Sequence, residues 1–374
     1  MVLVALVGLC ALSFWLWHGR HSAPTKLARP SQPAQAKNAP VLPPTNVADA
    51  AGGPRLEAAR ATLAATTAPE IARKELDELR RYLSTLPPPA AVAAIRQFLD
   101  ARQDVPTGLG FAIGPDGFLT GAPSLRIFLL DYLAQVDRPA AGRYAESILG
   151  SMDSPGEWAV SLRNYALANA TPEGRAFLEQ KMQELLGHEP WQSNPSAGYL
   201  EAFDVAVHLG GTNLMPALTQ LLRQTDNHAL AHAAYLALDR LTLSNPAATL
   251  EHLLKDPSVM QGREQTRANY FARADVSDPQ QRQILESYLL APDRSATELQ
   301  TFAGLFPNAN FMISHNLLTS SATPDHQHIV RRDQESLRTV NAWLADPRFN
   351  HLQLQIQTIQ KRLSQFVEQA RSSQ

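Results

Sequence analysis

From Arg55 to the C-terminus the apolar residues recur with the 3.6-residue period of an α-helix, and one stretch breaks that period conspicuously. A chain so patterned buries one stripe of each helix against its neighbours, which commits the body to helix-on-helix packing. In PEIARKELDELRRYLSTL the residues Ile71, Leu76, Leu79, Leu83 and Leu86 keep one face. Glu70–Lys74 and Asp77–Arg81 are placed for surface pairs, and Pro87-Pro88-Pro89 stops the run. Leu125, Phe128, Leu129, Tyr132, Leu133 and Val136 form the next stripe. Trp158, Leu162 and Tyr165 follow, then Phe177, Leu178, Met182, Leu185 and Leu186.

The clearest unit runs from Tyr199 to Leu241. Tyr199, Leu200, Phe203, Ala206 and Val207 turn inward on one helix, which Gly210-Gly211 ends. Leu214, Met215, Leu218, Leu221 and Leu222 serve a second. Asn227 caps a third, with Leu230, Ala234, Tyr235, Leu238 and Leu241 inside. Short loops between such helices make them antiparallel neighbours. Trp158, Tyr199 and Tyr235 stand 41 and 36 residues apart, the interval of a helical repeat.

On these residues, Tyr199 to about Lys255 resembles HEAT repeats: a helix, a Gly-containing turn, a Pro-bearing second helix (LMPALTQLL) and an Ala-rich helix. The tetratricopeptide pattern fits less well, because its Trp-Leu-Gly-Tyr spacing is absent. The HEAT resemblance implies an α-solenoid whose stacked pairs offer a curved surface to protein or peptide partners. A compact all-α domain is the alternative. At the C-terminus a helix near Gln327 to Ala345 ends at Asp346-Pro347, and a longer one begins near Phe349. Its residues Leu352, Ile356, Ile359, Leu363, Phe366 and Ala370 form a short heptad seam, suited to capping the body or to a weak self-association.

The break in the helical period is GLGFAIGPDGFLTGAPSL, Gly108 to Leu125. Gly114-Pro115-Asp116-Gly117 is a turn, and the flanking residues predict a short β-hairpin near 110–121. Pro123 and Ser124 then start the Leu125 helix. The stretch is similar to the opening of trypsin-like periplasmic proteases. Aligning on Thr120, however, puts Pro123 where their catalytic histidine belongs. Proline cannot act as a general base, and no Gly-x-Ser-Gly-Gly string follows, so that chemistry is excluded. Phe111 and Phe118 of the hairpin are the candidate partner-binding residues; their alternative role is to plug the helical body.

The N-terminus is different in kind. Met1 to Trp17 is an uninterrupted apolar run of roughly 25 Å as a helix, ending in Phe14, Trp15 and Trp17. No small-x-small cleavage site follows it, and Leu9 before Cys10 does not make a lipobox, so an uncleaved membrane anchor is expected. From His18 to about Pro54 a Pro- and Ala-rich segment without large apolar side chains is expected to be a disordered linker. Arg20, Lys26 and Arg29 favour a cytoplasmic body by charge. The layout of anchor and spacer, familiar in the bacterial envelope, leans instead to the periplasm, and both sides stay open.

Candidates for chemistry are few. His228 and His232 stand at i,i+4 without the Glu of a zinc-protease helix. Asp325, His326 and His328 lie in PDHQH, and Ser314 and His315 are neighbours at the end of an Asn-rich loop, 306–316. None of these amounts to a metal, catalytic or cofactor site, and no Walker loop, dinucleotide fingerprint or Cys-x-x-Cys occurs. A net charge of −2 gives the chain no reason to seek nucleic acid. Arg80-Arg81 and Arg331-Arg332 stand beside acids and read as solvated helix faces.

The expected organisation is therefore an all-α protein: anchor 1–17, linker 18–54, N-terminal helices 55–105, hairpin 106–122, helical-repeat body 123–320 and C-terminal hairpin or cap 321–374. The expected role is a membrane-tethered protein-interaction scaffold. The second reading is an enzyme of unfamiliar helical type, sited near the hairpin or the 306–316 loop. Asp204, His208, His232 and His315 gathered in one pocket would favour it.

Overall fold

The computed structural model describes residues 52–224, 226–255, 260–310, 314–320 and 325–372, all within one compact unit. The expected anchor 1–17 and nearly all of the linker lie outside the described residues. Among the described residues no helix is long and apolar enough to cross a membrane.

The described residues are predominantly helical, with one small sheet among them. Three N-terminal helices, α1 (Gly53–Ala64), α2 (Pro69–Thr85) and α3 (Pro88–Asp100), lead into the hairpin of β1 (Ala112–Ile113) and β2 (Leu119–Gly121). Helix α1 takes in the end of the expected linker, with Pro54 in its first turn. On α2 the inward stripe is Ala72, Leu76, Leu79 and Leu83, so Ile71 is on the outside, about half exposed, contrary to expectation. The larger residue loses its place because Ala72 completes the 4-3-4 spacing that faces α1 and α3. The surface pairs also differ: Lys74 meets Glu78, and Asp77 meets Arg80.

After the hairpin the helices alternate between an inner and an outer set. The inner set is α4 (Leu125–Val136), α6 (Pro155–Ala168), the short α9 and α10 (Ala197–Glu201, Phe203–His208), α12 (His228–Ser244), α14 (Glu264–Phe271) and α16 (Ala296–Leu305). The outer set is α5 (Arg138–Ile148), α7 (Pro172–Leu186) with the short α8 (Glu189–Ser193), α11 (Met215–Leu222), α13 (Pro246–Lys255) and α15 (Pro279–Leu290). The helix expected across Tyr199–Val207 is broken at Ala202. Starts are written in the sequence: Ser124, Ser154, Thr171, Ser196, Asn227, Asp278 and Ser295 each accept a backbone N–H of the first turn. Pro123 therefore lies just outside α4, whose cap is Ser124. Gly210 and Gly211, with φ of 74° and 68°, supply the left-handed stop after α10.

Two of the inner helices are buried all round over most of their length. Every residue of α4 from Leu125 to Ala134 is buried, and so is every residue of α6 from Trp158 to Ala166. A helix apolar on one face only needs one cover; these have cover on both. At the far end α17 (His326–Ala345), a 3-10 turn (Pro347–Leu352) and α18 (Gln353–Ser372) close the body. A run of rings from Phe271 through Tyr288, Phe302, Phe306 and Trp343 to Phe349 joins them to α14, with successive centroids 4.0 to 5.9 Å apart. Leu352, at the end of the 3-10 turn, and Ile356, Ile359, Leu363 and Val367 on α18 are buried; Phe366 is exposed. The expected seam fails after Leu363 because an unsupercoiled helix drifts away from a strict heptad.

Candidate functional site

The inner helices are joined by charged side chains placed among apolar ones. Arg163 on α6 meets Asp131 on α4 at 2.5 Å, both fully buried, and Arg126 makes a two-pronged pair with Glu157 at 2.8 and 3.1 Å. Asp204 on α10 takes Arg240 of α12 at 2.9 Å. Asp239 of α12 takes Arg273, just past α14, at 2.7 and 2.9 Å. Glu298 on α16 takes Arg267 of α14 at 2.6 and 2.5 Å and the Tyr288 hydroxyl at 2.8 Å. The partners lie 31, 32, 36, 34 and 31 residues apart. Between α6 and α9 the link is close backbone packing instead. A Cβ at Gly198 would stand 2.8 Å from the Gly156 Cα.

These rungs do a second job. Several use their remaining hydrogen-bonding capacity on the main chain of non-helical segments lying across the inner helices. Asp131 accepts the Leu119 N–H at 3.0 Å, and Arg163 donates to the Gly117 carbonyl at 2.9 Å, which fixes the hairpin. The Asp204 carboxylate accepts the N–H groups of Leu318 and Thr319 at 2.7 and 3.0 Å as well as the Thr319 hydroxyl. Arg273 donates to the Asn310 carbonyl, and Arg332 donates to the carbonyls of Asn308 and Arg273. Arg332 is thus no solvated residue, as its sequence context had suggested. Its two terminal nitrogens are spent on carbonyls, its Nε is buried without a partner among the described residues, and burial pulls its proton affinity down.

The two covering segments meet tip to tip. In the hairpin, Gly117 N–H donates to the Gly114 carbonyl, Asp116 accepts the Phe118 N–H, and Gly117 has φ +81°. Opposite it, His315 and Ser320 pair as an isolated bridge and Asn316 donates to the Thr319 carbonyl, making a turn with Leu317 buried. The Leu317 carbonyl oxygen lies 2.6 Å from where a Gly117 Cβ would be.

The candidate partner-binding aromatics are both half-buried. Phe111 packs where Gly156 and Gly198 meet, its ring 3.2 Å from an added Gly198 Cβ, and Phe118 lies under the Arg163 guanidinium at 4.6 Å. Asp325 caps α17 through the Gln327 N–H, with His326 and His328 on the surface. His232 stands against Tyr235, and Ser314 donates to Asn316. Asp204 is committed to Arg240 and the 318–319 backbone. Among the described residues no group of His, Cys, Asp and Glu side chains gathers so as to hold a metal ion.

Glu201 completes the electrostatics around Asp204. Burial pushes its carboxyl up, Arg240 opposes this and Asp204 adds to it. A raised folded-state value gives stability at acid pH that is lost as pH climbs through it. Glu201→Gln, which cannot ionise, is therefore expected to stabilise the chain at about pH 8 and not at about pH 4. Urea unfolding at the two pH values checks this, and a loss at the higher pH would show that Arg240 dominates.

Sequence periodicity missed the rungs; Asp204 was singled out only as a candidate pocket residue. The available signal was an ionised residue at an inward position of an apolar helix: Asp131 in LRIFLLDYLAQV and Arg163 in WAVSLRNYALA. Compared with family models, curated proteins and solved structures, the chain matches none.

Proposed function

We propose that the protein is a helical-repeat binding body of the α-solenoid kind, tethered to a membrane through Met1 to Trp17, whose work is to hold other polypeptides. The observation that carries this reading is the double use of the rungs. Charged pairs whose partners stand 31 to 36 residues apart join the inner helices, and three of them, at Asp131, Asp204 and Arg273, also grip the main chain laid across them. Bonds to N–H and C=O groups hold a polypeptide with little regard to its sequence, as suits a scaffold. Stacked helix pairs with regular spacing give the extended surface such binding needs.

The test is a cross-linked pull-down of the full-length chain from both membrane and soluble fractions. One or two polypeptides enriched over a bait-free control are expected. Recovery of the bait with lipid alone would overturn the reading.

A further inference from the structure

We infer that the turn Ser314–Ser320 is a built-in occupant of a polypeptide seat on Asp204, and that a partner binds by putting a turn of its own in that place. This rests on the binding reading above and names the chemistry of the partner.

The seat has three parts. The Asp204 carboxylate, buried and held in place by Arg240, faces the turn and takes two successive backbone N–H groups and one hydroxyl. An apolar socket takes Leu317, which is buried as part of the same core as the inner helices. The third part is the backbone of the hairpin tip at Gly117, against which the Leu317 carbonyl rests. Of the occupant, then, the seat reads a buried apolar side chain, a second, partly buried apolar one, and a hydroxyl on the next residue: Leu317, Leu318 and Thr319. Leu318 is read through its N–H, and its partly buried side chain packs against the same core. Any segment with an apolar-apolar-Ser/Thr turn satisfies these contacts.

Occupancy by the chain itself also follows from the charge. An ionised Asp204 stripped of its N–H donors would be left with Arg240 alone in a buried position, a costly arrangement. The seat therefore stays filled until another turn replaces the resident one. Its apparent affinity for an outside turn is lowered by the fraction of molecules in which it is filled.

The test uses the full-length chain and a fluorescent peptide of Ser314–Ser320, SHNLLTS. Leu318→Pro removes one of the two N–H groups that Asp204 accepts, together with the packing of the Leu318 side chain, and unseats the resident turn. The variant is expected to bind the peptide at least about tenfold more tightly than the parent chain. Adding Asp204→Ala, or replacing the peptide's threonine by alanine, is expected to abolish the gain. Equal binding by parent and variant, or none by a variant with the parent's helical circular dichroism, overturns the inference. If Leu318→Pro does not fold, Thr319→Ala replaces it, read by amide exchange at Leu318 and Thr319. Exchange at least about tenfold faster than in the parent is expected, and unchanged exchange overturns the inference. A cellular partner captured equally by parent and unseated chain would leave the binding reading standing and overturn the seat.

Discussion

Asp131→Ala is expected to cost about 3–5 kcal/mol of folding stability, seen as a lower denaturant midpoint with little change in slope. The Asp131 carboxylate and the Arg163 guanidinium are both fully buried at 2.5 Å. Removing the carboxylate leaves a cation that cannot shed its proton, among the apolar residues of α4 and α6. It also takes away the acceptor for the Leu119 N–H, so the hairpin loses an anchor at the same time. The complementary variant, Arg163→Met, is expected to cost a similar amount at neutral pH but to behave differently in acid. Burial already pushes the Asp131 carboxyl up, opposed by Arg163 and the Leu119 N–H. Without Arg163 it rises further and the group takes a proton to escape its charge. The deficit of Arg163→Met should therefore shrink as pH falls below neutrality, while that of Asp131→Ala should not. Equal deficits at every pH would mean that lost packing, not the orphaned charge, sets the cost. The double variant should lose less than the sum of the two, though Arg163's bond to the Gly117 carbonyl and its contact with Phe118 go with it.

The rungs also mark where the sequence stopped being legible. Helix class and most helix starts are written locally, in a period of 3.6 and in caps such as Ser154-Pro155 and Asp278-Pro279, and need no knowledge of distant residues. The hairpin turn was readable for the same reason: Pro115 fixes its own φ, and Gly117 tolerates the positive φ that the turn needs. A charge inside an apolar stripe is ambiguous alone, since Asp131 could equally have turned α4 outward at that point. Only its partner 32 residues away resolves it. The choice of Ala72 over Ile71 and of Val367 over Phe366 was settled by neighbouring helices, which hydrophobicity cannot report. The turn at 314–320 is the extreme case. Its bonds reach back 114 and 115 residues to Asp204, and nothing in SHNLLTS announces an acceptor there.

Gly117→Val is expected to destabilise the chain by about 3 kcal/mol or more, through two effects that a second glycine separates. At φ +81° a β-branched residue is strained, and its Cβ would fall 2.6 Å from the Leu317 carbonyl oxygen, a backbone atom that cannot swing aside. Gly262 has nearly the same dihedral, φ +74°, but an added Cβ there meets nothing within 4 Å. Gly262→Val should therefore show the conformational cost alone, about 1–3 kcal/mol. The excess at Gly117 is then the contact between the hairpin tip and the turn on Asp204, since each turn is bonded beneath to its own rung and neither can retreat from the other. Chemical unfolding of both variants measures the difference. If Gly117→Val costs no more than Gly262→Val, the two tips yield freely to each other and the contact between them contributes nothing to holding the inner helices covered. If it costs more, amide exchange at Leu318 and Thr319 should quicken in Gly117→Val and stay unchanged in Gly262→Val, because only the first pushes the turn off Asp204.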